Sequence, residues 1–200
     1  AGLETVAWLD AGTRNFYTVK TPINQPSDLK GLKIRVQQSP TNVEMMRLLG
    51  GTATPMGFGD VYTALQAGIL DGAENNELAL TDNGHGDICK YYSYDMHQMV
   101  PDLLVANYEF MQNLSDEERA IFDEGFEIVK ETEQSAWADA VAAAKDKAEN
   151  EQHVNFLYPD TAPFQEAMAP LHGSVLEANP ELQPIYDRIQ EYNAEYTAAE

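Results

Sequence analysis

Arg35 lies in the apolar run Leu32-Lys33-Ile34-Arg35-Val36, where a charged side chain is out of character. A guanidinium in that setting offers a planar fork that grips a carboxylate through two parallel hydrogen bonds, whereas lysine offers a single point charge. An internal ion pair is the plainer use of the same group, because 33 acidic residues face 12 basic ones. Asn75, in Glu74-Asn75-Asn76, carries an amide that both donates and accepts, and could serve a carboxylate or hydroxyl as readily as a turn. Phe58 stands between glycines in Gly57-Phe58-Gly59-Asp60. Its ring could cover a ligand's carbon skeleton or simply pack in a core. The four histidines (85, 97, 153 and 172) show no metal-ligand spacing, and Cys89 has no second cysteine to pair with. A phosphate loop, a nucleophile elbow and a zinc-protease helix are all missing. An acid-base pair of His97 with Glu74 is what remains of an enzymatic reading.

The elements that must hold these residues follow a repeating grammar. The run around Arg35 reads as a short strand. Ser39-Pro40-Thr41-Asn42 then opens a helix with Val43, Met46 and Leu49 on one face, stopped by Gly50-Gly51. Thr52 to Pro55 is extended, Val61 to Ala67 is a helix stopped by Gly68, and Ile69 to Glu74 leads into another strand. Such alternation predicts an α/β fold with a largely parallel sheet. The second half is mostly helical. Ser115-Asp116-Glu117-Glu118 is a capping box, and the helix it opens runs to about Gln152, roughly 50 Å at 1.5 Å per residue. Val154 to Tyr158 returns as a strand, followed by helices over Pro163–Leu176 and Pro180–Tyr196.

The formal charge of -21 makes nucleic acid and anionic lipid poor partners. No apolar run approaches the about 18 residues of a membrane span, so direct membrane insertion is not expected. A signal segment is not visible, and Ala1 to Trp8 reads like the middle of a strand. If the ligand is an anion, the global field opposes its capture and cations must be placed locally. The helix start at Ser39-Pro40-Thr41, with its free N–H groups, would add to that local field.

Three blocks in order carry a resemblance: Asp28-Leu29-Lys30-Gly31-Leu32-Lys33-Ile34-Arg35-Val36, then Pro55-Met56-Gly57-Phe58-Gly59-Asp60 through Gly68, then Leu70-Asp71-Gly72-Ala73-Glu74-Asn75. Together with Lys90-Tyr91-Tyr92-Ser93, His97 and Pro101-Asp102, they resemble the solute-binding proteins of TRAP (tripartite ATP-independent periplasmic) transporters of the DctP type. The resemblance implies a two-lobed, periplasmic-binding-protein-like α/β fold with a long helix spanning both lobes, and the N-terminal lobe would be incomplete in this chain. Residues 1–100 and 138–200 would form mainly the ligand-binding second lobe, and 101–137 would return to the first. The resemblance further implies a non-enzymatic receptor without cofactor or metal, held outside the cytoplasm (periplasmic, or lipid-anchored) and partnered by membrane permease subunits. Arg35 would clamp the ligand carboxylate, aided by Asn75, Phe58, Arg14, Gln38 and His97. Glu74 and Asn76 would supply further polar contacts, as a polyhydroxylated sugar acid such as a hexuronate requires. A C4-dicarboxylate, another carboxylate, or a ligand-sensing role on the same fold remain as alternatives.

Overall fold

The computed structural model describes residues 2–197. In chain order the elements are β1 (Leu3–Leu9), β2 (Thr13–Thr18), β3 (Lys33–Val36), α1 (Pro40–Leu48), β4 (Thr52–Pro55), α2 (Val61–Gln66), β5 (Gly72–Asn75), α3 (Leu78–Thr81), β6 (Tyr91–Met99), β7 (Asp102–Asn107), α4 (Tyr108–Gln112), α5 (Asp116–Asn150), β8 (Asn155–Leu157), α6 (Ala162–Ala178) and α7 (Gln183–Thr197). Six strands form one sheet in the order β4-β3-β5-β2-β6-β8, while β1 and β7 pair separately as an antiparallel ribbon.

In the large sheet, β3 runs parallel to β4 and β5, and β6 parallel to β8. Strand β2 is antiparallel to both of its neighbours, β5 and β6. The expected parallel sheet is therefore interrupted by one reversed strand. Its residues, Thr-Arg-Asn-Phe-Tyr-Thr, show no period-two pattern, and only the strand preference of Thr, Phe and Tyr marks it locally. Gly72 explains how the strands fit so tightly there: a Cβ at that position would lie 2.4 Å from the carbonyl oxygen of Tyr17.

Successive side chains on a strand point to opposite faces, and two apolar clusters follow. Phe16, Ile34 and Val36 pack with Met45, Met46, Phe164 and Met168, so α1 and α6 cover one face. Tyr17 and Ala73 pack with Val61, Leu65 and Ala148, so α2 and the end of α5 cover the other. Arg35 falls between Ile34 and Val36 and pairs with Ala73, which turns it toward the Tyr17 face.

Helix α5 spans 35 residues, about 52 Å at 1.5 Å per residue. The Ser115 hydroxyl accepts from the Glu118 N–H while the Glu118 carboxylate accepts from the Ser115 N–H, the capping box expected at its start. Asp116, Glu117 and Glu118 complement the positive end of the helix dipole. The helix touches two regions. Toward its N-terminus Arg119 pairs with Glu4 of the ribbon at 2.7 Å. Further on, Glu133 accepts from the Asp10 N–H, Trp137 lies against Gly12, and Ala144 and Ala148 are buried. The ribbon and the first half of α5 leave Leu3, Trp8, Leu103, Val105, Ile121 and Ile128 exposed.

Candidate ligand-binding site

Arg35 is 4% exposed and carries no carboxylate partner among the described residues. Its Nε and Nη2 both donate to the carbonyl oxygen of Met56, at 3.1 and 2.9 Å. A guanidinium has five N–H donors, so three remain unspent on that carbonyl. Its carbon centre stands 5.5 Å from the centroid of the Phe58 ring, a cation–π contact. Phe58 is 37% exposed, so one part of the ring meets solvent while the arginine rests over it. Burial shifts the Arg35 pKa downward, with the Glu74 carboxylate pulling the other way. The other four arginines all have acidic partners: Arg14 with Glu74, Arg47 with Glu44, Arg119 with Glu4 and Asp123, and Arg188 with Glu191.

A second polar group lies across β5. Arg14 donates from Nε to Glu74 Oε2 at 2.5 Å, from Nη1 to Asn75 Oδ1 at 2.9 Å and from Nη2 to the Glu74 carbonyl at 2.8 Å. His97 adds Nε2 at 3.7 Å from the same Glu74 oxygen, and its Nδ1 lies 2.7 Å from Asp95 Oδ2. The His97 ring stacks on Phe16 at 4.3 Å. Burial alone would lower its pKa, but Asp95 and Glu74 overcome this and carry it up to about 9. Burial likewise works against the Glu74 carboxylate, yet His97 and Arg14 beside it hold its pKa below the usual value. A bulge assembles this group. Met96 takes φ 48°, unusual for a residue with a side chain, and its N–H donates to Asn15 Oδ1.

The residues expected from sequence thus divide. Arg35 and Phe58 touch directly; Arg14, Glu74, Asn75 and His97 form one network. Glu74 has no exposed surface: its Oε2 lies beside Arg14 and His97, while its Oε1 is buried without a hydrogen-bond partner among the described residues. Asn75 uses its Oδ1 on Arg14 and on the Asn76 N–H, and Asn76 donates to the Ala11 carbonyl. Gln38 is exposed beyond the end of β3. Sequence reasoning missed three participants. Asp95 could have been found from its two-residue spacing to His97 on a strand. Tyr17 and His85 gave no such signal: the Tyr17 hydroxyl meets His85 Nδ1 at 2.7 Å across 68 residues of chain. An apolar cavity of about 370 Å³, lined by Met45, Met168, Leu171 and Ile185 among others, lies under α6 and α7 and does not include Arg35.

Among the described residues no helix is long and apolar enough to cross a membrane. The mixed α/β architecture holds a buried cation that has no carboxylate partner among the described residues, and the comparisons with known proteins show the family. Residues 1–179 match the family described as bacterial extracellular solute-binding protein, family 7 (DctP), and the chain belongs to that family. It is similar to a TRAP periplasmic solute-binding protein from Anaerococcus prevotii solved with bound α/β-D-glucuronate: TM-score 0.89, 62% identity, covering 98% of this chain and 63% of that one. A counterpart from Xanthobacter autotrophicus with bound β-D-galacturonate gives TM-score 0.85 at 36% identity, covering 95% and 63%. The uncharacterised protein YiiZ of Salmonella typhimurium is 42% identical over 189 residues, 94% of this chain and 58% of that protein. The chain therefore spans about 60% of the length of these relatives.

Proposed function

We propose that this chain carries the carboxylate-gripping part of a TRAP solute-binding subunit for a hexuronate. The observation that carries the reading is Arg35: a buried guanidinium held in place by a carbonyl and an aromatic ring, with donors left over and no carboxylate bonded to it among the described residues. Leaving a charge unpaired in a protein interior is costly, and an incoming carboxylate would relieve that cost. The carboxylate would take the remaining Arg35 N–H groups and the sugar ring would lie against the exposed part of Phe58. The Asn75 amide, Arg14, Gln38, His97 and Asn76 would supply the surrounding polar contacts, with Glu74 holding Arg14 in register. The hexuronates bound to the similar solved proteins support this choice.

A C4-dicarboxylate is the second reading. It would need a second cation, and every other arginine among the described residues is already paired with a carboxylate. A polyhydroxylated monocarboxylate fits the single free guanidinium better.

In the full protein, the β1–β7 ribbon and the segment 101–137 would belong to one lobe, and the large sheet with 138–200 to the other. Because β1 pairs with β7, residues 3–9 go with the first lobe in this proposal. Closure of the two would exclude water and strengthen the contact to Arg35. The protein would act outside the cytoplasm and deliver its ligand, chemically unchanged, to membrane permease subunits. Calorimetry on the full-length protein with D-glucuronate, D-galacturonate and succinate tests the reading. Arg35→Lys is expected to cost about 2 kcal/mol of hexuronate affinity, the scale of a lost charged hydrogen bond. Unchanged affinity in that variant, or tight binding of succinate alone, would overturn it.

A further inference from the structure

We propose that His85 is a positioning residue for the Phe58–Arg35 pair, acting from beneath the ring rather than on the ligand. The proposal rests on the reading of Arg35 as the carboxylate clamp. Phe58 precedes α2 on a short 3-10 turn and is partly exposed. What it meets on its inner side is His85, edge-on, with ring centroids 5.5 Å apart and planes at 62°. Aromatic pairs prefer this arrangement because the electron-rich face of one ring meets the electron-poor edge of the other.

His85 is itself held from two directions. Its Nδ1 lies 2.7 Å from the hydroxyl of Tyr17, which is fully buried in the reversed strand β2. Its backbone begins a short 3-10 turn after Gly84, whose φ of +69° favours glycine and whose missing side chain leaves room for the Tyr62 ring. The turn is tied down further: Lys90 donates to the Gly86 carbonyl, and Gln152 donates to Asp87. The sequence of contacts is therefore Tyr17 to His85 to Phe58 to Arg35, running from the centre of the sheet to its rim. Burial, and then the nearby Arg35 charge, push the His85 pKa down to about 4, so the ring stays neutral and adds no second positive charge beside the clamp.

The test uses full-length protein carrying His85→Ala, His85→Phe, Tyr17→Phe and Phe58→Ala, read two ways. The first reading is the Arg35 Nε–H resonance in the unliganded protein, and the second is the dissociation constant for D-glucuronate. His85→Ala is expected to shift the Arg35 resonance and to weaken binding about tenfold, the upper end of what an aromatic pair contributes. His85→Phe keeps an aromatic neighbour for Phe58 but loses the Tyr17 bond, and should fall between wild type and His85→Ala. Because His85 acts through Phe58, a double variant that combines His85→Ala with Phe58→Ala should bind no worse than Phe58→Ala alone; independent effects would instead add. An unmoved Arg35 resonance in His85→Ala, or additive losses, would overturn the proposal. If His85→Ala fails to fold, His85→Phe and Tyr17→Phe carry the same two readings. Should the wild type bind no hexuronate, the carboxylate reading falls, while the Arg35 resonance still decides the role of His85.

Discussion

Arg14 and Arg35 flank β5 on either side, one on β2 and one on β3, yet their guanidiniums are spent differently. Arg14 has a carboxylate partner: three of its five N–H donors find the Glu74 carboxylate, the Asn75 amide oxygen and the Glu74 carbonyl, and two are left. Arg35 finds one carbonyl and one ring. What separates the two is a carboxylate partner, which the fold gives to Arg14 and, among the described residues, not to Arg35. In a chain of charge -21, an arginine with no carboxylate bonded to it among the described residues is the less probable arrangement by composition alone.

The comparison can be broken most forcefully at Glu74. Its carboxylate is wholly buried between Arg14 and His97, so Glu74→Gln removes the charge that both depend on. Deleting one partner of such a pair is expected to cost about 3 kcal/mol of stability, measured by chemical denaturation. A loss below about 1 kcal/mol would show that the fold does not depend on that buried charge. By contrast, Arg35→Lys should move hexuronate affinity far more than the unfolding midpoint.

A finer division comes from pH. The folded pKa of His97, about 9, lies above its ordinary value of 6.5. The protonated ring is therefore the form that folding favours. Its contribution is fully present below pH 6.5 and is lost as the pH rises through about 9. The melting temperature should fall between pH 6.5 and 9.5, and His97→Gln should flatten that slope. A wild-type slope unaltered by the substitution would exclude His97 as its source. The smallest effect is expected at Arg47, whose ion pair with Glu44 is exposed on α1. Arg47→Ala should leave both the melting temperature and hexuronate affinity within measurement error, since exposed pairs of this kind contribute little. A loss of affinity there would show that long-range charge, rather than the placed guanidinium of Arg35, governs capture.

Part of the fold, and the burial of a charge on β3, was legible in the sequence. Arg35 announced itself by being charged within an apolar run, and the Ser115–Glu118 box announced the start of α5 through a side-chain pattern four residues long. Both are local signals, in which cause and consequence lie within one element. The Arg14–Glu74 pair was harder because 60 residues separate its members, and only the reversed direction of β2 brings them together. The bulge at Met96 and the Tyr17–His85 contact were invisible for the same reason: each is made by a strand pairing or a turn that meets the sheet from far along the chain. The apparent polar trio Glu74-Asn75-Asn76 also misled in part. A strand alternates its faces, so neighbours in sequence do not share an outlook, and Glu74 faces inward.

Helix α5 has a mechanical consequence of its own. Its buried alanines, Ala144 and Ala148, seat one end against the large sheet, while Arg119 grips the ribbon about 38 Å away along the axis. A continuous helix of that length behaves as a stiff rod. A tilt of roughly 5° at the seated end would swing the gripped end by about 3 Å, the span of one hydrogen bond. Rearrangements too slight to disturb packing near Ala144 would thus be enlarged, with no further moving part, into the making or breaking of contacts at the ribbon.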